Sequence, residues 1–284
     1  MMFKINKKSS GKKAVSPALS TVILTGAMVA ILSVALGFAN NFLWSRVAEG
    51  EFDSSRQFMQ TVGLQIDDVA WTVGRTETIL YASQYGEVML EPTVLNYTVS
   101  VETNGGGDYE FSNLTTGALM FNIPTSRYSI TNGHRENIFP DQTGSFILTG
   151  TSAPVARVFV IEQLPMADGS YIRVVTAPVV RVLNSSITTS GATTHYIRMY
   201  LPVLSAGEAP RFSQSITLTG ESLKANTIND VDSITVTVSF QAGSDFDSTF
   251  FNFPIDSEPV FVPPSGDVVL ELYLSEVSVD FGLN

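Results

Sequence analysis

Ala14-Val15-Ser16-Pro17-Ala18-Leu19-Ser20-Thr21-Val22-Ile23-Leu24-Thr25-Gly26-Ala27-Met28-Val29-Ala30-Ile31-Leu32-Ser33-Val34-Ala35-Leu36-Gly37-Phe38-Ala39-Asn40-Asn41-Phe42-Leu43-Trp44-Ser45 is a run without one charged side chain, bounded by Lys13 and Arg46. It exceeds the ~20 predominantly apolar residues that cross a bilayer as a helix. The start is well marked. Ser16 suits the capping position, where its hydroxyl accepts from free first-turn amides, and Pro17 suits the first helical position. No strong stop follows until Pro92, so the reading is one helix that leaves the apolar run and continues.

Working outward, residues 1–13 carry five lysines (Lys4, Lys7, Lys8, Lys12 and Lys13) and no acid. The other 271 residues hold 11 basic and 27 acidic groups, a balance of -16 within a formal total of -11. Lysines beside an apolar span favour the cytoplasmic side, which places the N-terminus inside and the bulk of the chain outside. Nucleic acid is not expected as a partner, because that ligand needs clustered positive charge. At 284 residues, 44% hydrophobic and 15% charged, the chain has enough apolar mass for a sizeable core. It has no cysteine, so disulfides and thiolate metal sites are excluded.

A basic leader before an apolar segment also describes a secretory signal, but this run is longer than the usual signal core and shows no small-x-small cleavage site at its far end. The small residue, Ala14, instead precedes the apolar run, directly after Lys12-Lys13. Lys12-Lys13-Ala14-Val15-Ser16-Pro17 followed by an apolar helix resembles the class III signal peptide of archaeal type IV pilins and pilin-like proteins. The resemblance covers roughly the first 45 residues. It implies that a prepilin peptidase acts at Lys12, Lys13, Ala14 and Val15, cutting between Ala14 and Val15 and leaving the apolar segment on the mature chain. Many bacterial type IV pilins place a glutamate at the fifth mature position, where this chain has Leu19. That departure favours an archaeal-type, purely apolar filament core. A plain membrane anchor, N-terminus inside and unprocessed, is the alternative.

From Phe52 to Tyr85, Met59, Val62, Ile66, Val69, Val73, Thr76 and Leu80 recur at spacings of three and four, which predicts one apolar helical face. Phe58, Leu64 and Trp71 supply a second, partial one. Gly50, Gly63 and Gly74 are weak points that permit a bend. Unbroken from Pro17 to about Tyr85, such a helix is ~100 Å long.

Beyond Glu87, short runs rich in valine, threonine, serine and aromatics alternate with turn residues, the pattern of an all-β sandwich or barrel. Expected strands are 94–101, 109–111, 118–123, 126–131, 145–149, 155–163, 170–175, 179–186, 194–204, 211–219, 233–242 and 268–280. Asn104-Gly105-Gly106-Gly107-Asp108 and Ala167-Asp168-Gly169 read as hairpin loops. Pro254, Pro259, Pro263 and Pro264 enclose a stretch expected to be irregular. The fold class is therefore α+β: a long N-terminal apolar helix, possible to about residue 85, followed by a large antiparallel all-β, sandwich-like domain. The domain reading is a basic leader over 1–14, a helix over 15–85 with its membrane or filament-core segment at 15–45, and an extracellular β domain over 86–284. One β domain is the simpler count, and two stacked smaller ones divided near Ala206 to Pro210 are the alternative.

No catalytic constellation can be assembled. His134 and His195 lack metal-ligand partners at helical or loop spacing. Asp245-Phe246-Asp247 with Asp230 and Asp232 offers oxygen ligands without a calcium-loop pattern, and reads as a solvated acidic loop. The Gly105–Gly107 run has no following helix or lysine and is a turn. No catalysis, cofactor or metal is expected. Asn96, Asn113 and Asn184 each begin an N-glycosylation acceptor tripeptide, and Asn113 has the most turn-like context.

These readings converge on a structural subunit of an archaeal type IV pilus-like extracellular filament, serving adhesion or cell-surface contact. Leu19, Val22, Ile23, Val29, Leu32 and Leu36 are the expected core-helix residues, with Gly26, Gly37 and several alanines allowing close helix approach. The implied partners are further copies of the chain packed through their N-terminal helices, the prepilin peptidase and pilus assembly machinery, and the cytoplasmic membrane before assembly. A membrane-anchored surface binding module, or a minor pilin with a ligand-binding β domain, is the alternative function.

Overall fold

The computed structural model describes residues 17–141, 144–207 and 214–282. The first element is a 54-residue helix, α1, Pro17–Ala70. It runs on through Gly50 and Gly63. The chain forms two compact units, one ending at Val47 and one beginning at Ala48. In the second unit, Phe52, Phe58, Met59, Val62, Ile66, Val69 and Ala70 form the buried face of α1. Met59, Val62, Ile66 and Val69 lie there as their spacing predicts. Phe58 joins this same face, its ring 5.0 Å from Tyr81 and 6.3 Å from Phe121, while Leu64 stays exposed. Burying each large side chain contributes roughly 1.5–3 kcal/mol, so these contacts, and not intrinsic helix propensity, fix this half of α1.

The helix does not reach residue 85. It ends at Ala70, and residues Thr76–Leu80 form strand β1. Gly74 turns the chain at a φ of +81°, a conformation glycine adopts without a side-chain penalty. Gly74 N–H then donates to Gly220 O at 2.7 Å, and Gly220 N–H donates to Arg75 O at 3.0 Å. Val73, Thr76 and Leu80 fit a helical spacing, but Thr76-Glu77-Thr78-Ile79-Leu80 also alternates, and its β-branched residues favour a strand. Val73 and Leu80 are exposed, the reverse of the helical expectation. Gly220 itself permits a close approach: a Cβ there would lie 2.6 Å from Val69 O.

The remaining strands are β2 (Glu87–Thr103), β3 (Asp108–Pro124), β4 (Arg135–Phe139), β5 (Ile147–Thr149), β6 (Ala156–Met166) and β7 (Gly169–Pro178). They continue with β8 (Val180–Thr189), β9 (Ala192–Ala206), β10 (Ser215–Ile228), β11 (Val231–Phe240), β12 (Ser257–Val260) and β13 (Asp267–Phe281). One six-stranded sheet runs β1-β10-β13-β9-β8-β5, and a seven-stranded sheet runs β12-β11-β2-β3-β7-β6-β4. The sheets are mostly antiparallel, with two parallel pairs: β9 with β13, and β5 with β8. Both predicted hairpin loops connect paired strands, β2 to β3 and β6 to β7. Strands from either side of Ala206 share both sheets, so the β region is one domain.

Three local expectations change. Residues 126–131 are not a strand, because the buried Glu162 carboxylate takes the Ile130 and Thr131 N–H groups at 2.7 and 2.9 Å. β4 was not foreseen. β12 forms inside the proline-enclosed stretch, where Pro259 is tolerated because β12 lies at a sheet edge.

Alternation builds two cores. In β3, Ala118 and Met120 join the cluster between the sheets, while Leu119, Phe121 and Ile123 join the cluster around α1. The inter-sheet core is plugged by a short helix, α2 (Ser248–Phe251), whose Phe250 and Phe251 pack with Phe253 near Phe159. Two arginines serve its end. Arg135 donates to Phe250 O at 2.6 Å and Arg157 donates to Phe251 O at 3.3 Å. Burial pulls the Arg157 pKa down to about 10.

Candidate functional site: the exposed apolar length of the first helix

From Leu19 to Val47 every large apolar side chain of α1 is exposed, at 43 to 73%. Leu19, Val22, Ile23, Val29, Leu32 and Leu36 are all among them. At 100° per residue, Val22, Ile23 and Leu24 followed by Met28, Ile31, Leu32 and Val34 point in every direction around the axis. No single face is set aside for a core. A helix apolar on all sides belongs in a membrane or inside a packed assembly. By length and composition this stretch can cross a bilayer. Trp44 and Arg46 mark its far end, and the Arg46 guanidinium lies 5.2 Å from the Phe42 ring centroid.

The processing residues Lys12, Lys13, Ala14 and Val15 lie outside the described residues. The three acceptor asparagines are on the β domain and are not brought together. Asn113 is exposed in a bulge of β3 at a φ of +60°, which matches its turn-like context. Asn184 is exposed on β8. Asn96, on β2, is half-buried, and its amide donates to Ser239 Oγ at 3.4 Å and accepts from Thr115 Oγ1 at 3.3 Å.

Two of the acidic loop residues have structural partners. Asp247 caps α2 by accepting the Phe250 N–H at 2.8 Å, and Asp245 accepts the Ala167 N–H at 2.6 Å. Among the described residues, no group of three or more histidine, aspartate or glutamate side chains is placed to hold a metal ion. His134 sits 3.8 Å from Glu136, which also pairs with Arg56.

Sequence reading missed the clasp where α1 meets the β domain. Glu51 is buried, and its carboxylate accepts the N–H groups of Gln84, Tyr85 and Gly86 at 3.2, 3.1 and 2.7 Å, together with the Ser83 hydroxyl. The next residue, Phe52, packs its ring 5.4 Å from that of Tyr128. The partners are more than thirty residues away along the chain, and nothing in the sequence around Glu51 points to them.

No protein-family model, curated protein or solved structure matches this chain.

Proposed function

We propose that this chain is a non-enzymatic structural subunit of an archaeal type IV pilus-like extracellular filament, assembled through its N-terminal apolar helix and serving adhesion or cell-surface contact. One observation carries the reading: the residues from Leu19 to Val47 expose apolar side chains around the whole circumference of α1. Bilayer lipid covers that surface before assembly, with the N-terminus inside, and equivalent helices of further copies cover it afterwards. Lys12-Lys13-Ala14-Val15 supports the same reading as a prepilin peptidase site, and the acidic, threonine-rich β domain is suited to face water. The Glu51 clasp ties the continuation of the helix to that domain.

The test is a charge placed in the apolar run. Val22→Asp, Ile23→Asp and Val34→Asp chains should each give no surface filaments while their β domains unfold at the wild-type temperature. Normal filaments from these variants would remove the helix-core reading and leave the membrane-anchored surface module.

A further inference from the structure

We propose that Asn104-Gly105, at the tip of the β2–β3 hairpin, is a self-modification site: the asparagine closes onto the following amide and becomes aspartate or isoaspartate. Two Asn-Gly pairs occur in the chain, Asn104-Gly105 and Asn132-Gly133. All four residues are exposed, so exposure does not separate the pairs. Their hydrogen bonds do.

The Asn132 carboxamide is held on both sides by one residue of β6. Its Nδ2 donates to Leu164 O at 3.4 Å, and its Oδ1 accepts the Leu164 N–H at 3.0 Å. The nitrogen that would attack it is engaged as well, since Gly133 N–H donates to Glu162 O at 2.8 Å. The other turn is closed without using either reacting group. Gly106 N–H donates to Thr103 O at 3.0 Å, Gly107 N–H to Thr103 Oγ1 at 3.1 Å, and Asn104 N–H to Asp230 O at 2.9 Å. Among the described residues, the Asn104 carboxamide and the Gly105 N–H have no hydrogen-bond partner. Nothing lies within 4 Å of where a Cβ on Gly105 would sit. The three successive glycines, Gly105 to Gly107, offer little resistance to the backbone rotation that brings the nitrogen onto Asn104 Cγ. Exposed asparagines such as Asn113 and Asn184 precede Leu114 and Ser185, whose side chains crowd the same approach.

The step balances with water as the co-reactant. The Gly105 nitrogen gives its proton to a base from solvent and attacks Asn104 Cγ. A bond forms between that nitrogen and Cγ as the Cγ–Nδ2 bond breaks, and Nδ2 leaves as ammonia with a proton from water. Water then opens the cyclic imide. Opening at Cγ gives aspartate, and opening at the main-chain carbonyl of Asn104 gives isoaspartate. Either product adds a negative charge next to Asp230, and the second also lengthens the main chain inside the turn. The hairpin tip therefore changes with the age of the chain, whatever role the first helix plays.

The test incubates freshly purified full-length chain in detergent, in mildly alkaline buffer made with heavy-oxygen water, and follows both pairs by peptide mass mapping. The Asn104 peptide should take up heavy oxygen and give two products of equal mass that separate by chromatography. It should run about tenfold or more ahead of the Asn132 peptide, because the bonds to Leu164 and Glu162 must open before Asn132 reacts. In urea the two peptides should convert at similar rates. Gly105→Val, for which there is room, should suppress conversion at Asn104 and leave the melting temperature unchanged. An Asn104 peptide that stays unmodified in the folded chain but converts in urea would overturn the proposal. So would equal rates at Asn104 and Asn132 in the folded chain, or a valine variant that converts at the wild-type rate.

Discussion

The Glu51 carboxylate, on the first helix, accepts the backbone N–H of Gly86 at 2.7 Å and thereby closes a loop of 35 residues onto the base of the β domain. Three successive N–H groups converge on this one side chain. Glu51→Ala leaves them without their acceptor, and should destabilise the domain by about 2–3 kcal/mol, since an orphaned donor costs about 1–3 kcal/mol when fully buried and these three, on an exposed Gln84 and half-buried Tyr85 and Gly86, recover part of that from water. Glu51→Gln, which keeps an acceptor oxygen, should lose about half as much. Urea unfolding of the full chain in detergent measures both.

Gly220 meets the end of the helix at backbone level. A Cβ at this position would fall 2.6 Å from Val69 O and 2.8 Å from Thr72 O, and neither atom belongs to a flexible side chain. Gly220→Val should therefore lower stability by about 2–3 kcal/mol through forced backbone displacement. A variant with unchanged melting temperature would mean that β10 and the helix end are not in contact.

Glu91 gives a pH signature. Burial, with Asp168 adding repulsion against partial relief from Arg173, raises its pKa above the ordinary carboxylate value. The folded state then holds this proton more tightly than the unfolded chain, so the stability associated with the protonated form is present at low pH and is lost as pH rises through the folded pKa. Glu91→Gln removes the charge. It should raise the melting temperature at pH 7, and its advantage over wild type should shrink as the pH falls through the raised folded pKa into the ordinary carboxylate range.

The three acceptor asparagines separate by exposure. Glycan, if the chain carries it, should be found at Asn113 or Asn184, which are exposed, and not at Asn96, whose amide is shared between Ser239 and Thr115. Peptide mass mapping of surface-derived protein, with Asn113→Gln as the control, reads this directly.

Much of this architecture was legible because burial imposes a period. Met59, Val62, Ile66 and Val69 announced their helical face. Ile234, Val236 and Val238 announced a strand with one buried side, and all three are buried on β11. Where two periods fitted, the reading failed. Val73, Thr76 and Leu80 satisfied a helix until Gly74 and the β-branched residues around it made the segment a strand. Long-range partners were invisible. Nothing near Glu51 names Gly86, and nothing near Tyr200 announces that parallel pairing of β9 with β13 stacks its ring on Tyr273 at 4.9 Å. The helix surface was the easiest part of the candidate site to foresee, because an uncharged run has few soluble alternatives. The Glu51 clasp within the second unit was the hardest.

The most direct measurement of the central claim is the intact mass of the chain sheared from the cell surface as filaments. The account predicts a polypeptide beginning at Val15, with Lys12, Lys13 and Ala14 removed and the apolar helix retained. A chain that keeps all five leader lysines and is recovered only from the membrane fraction would contradict it.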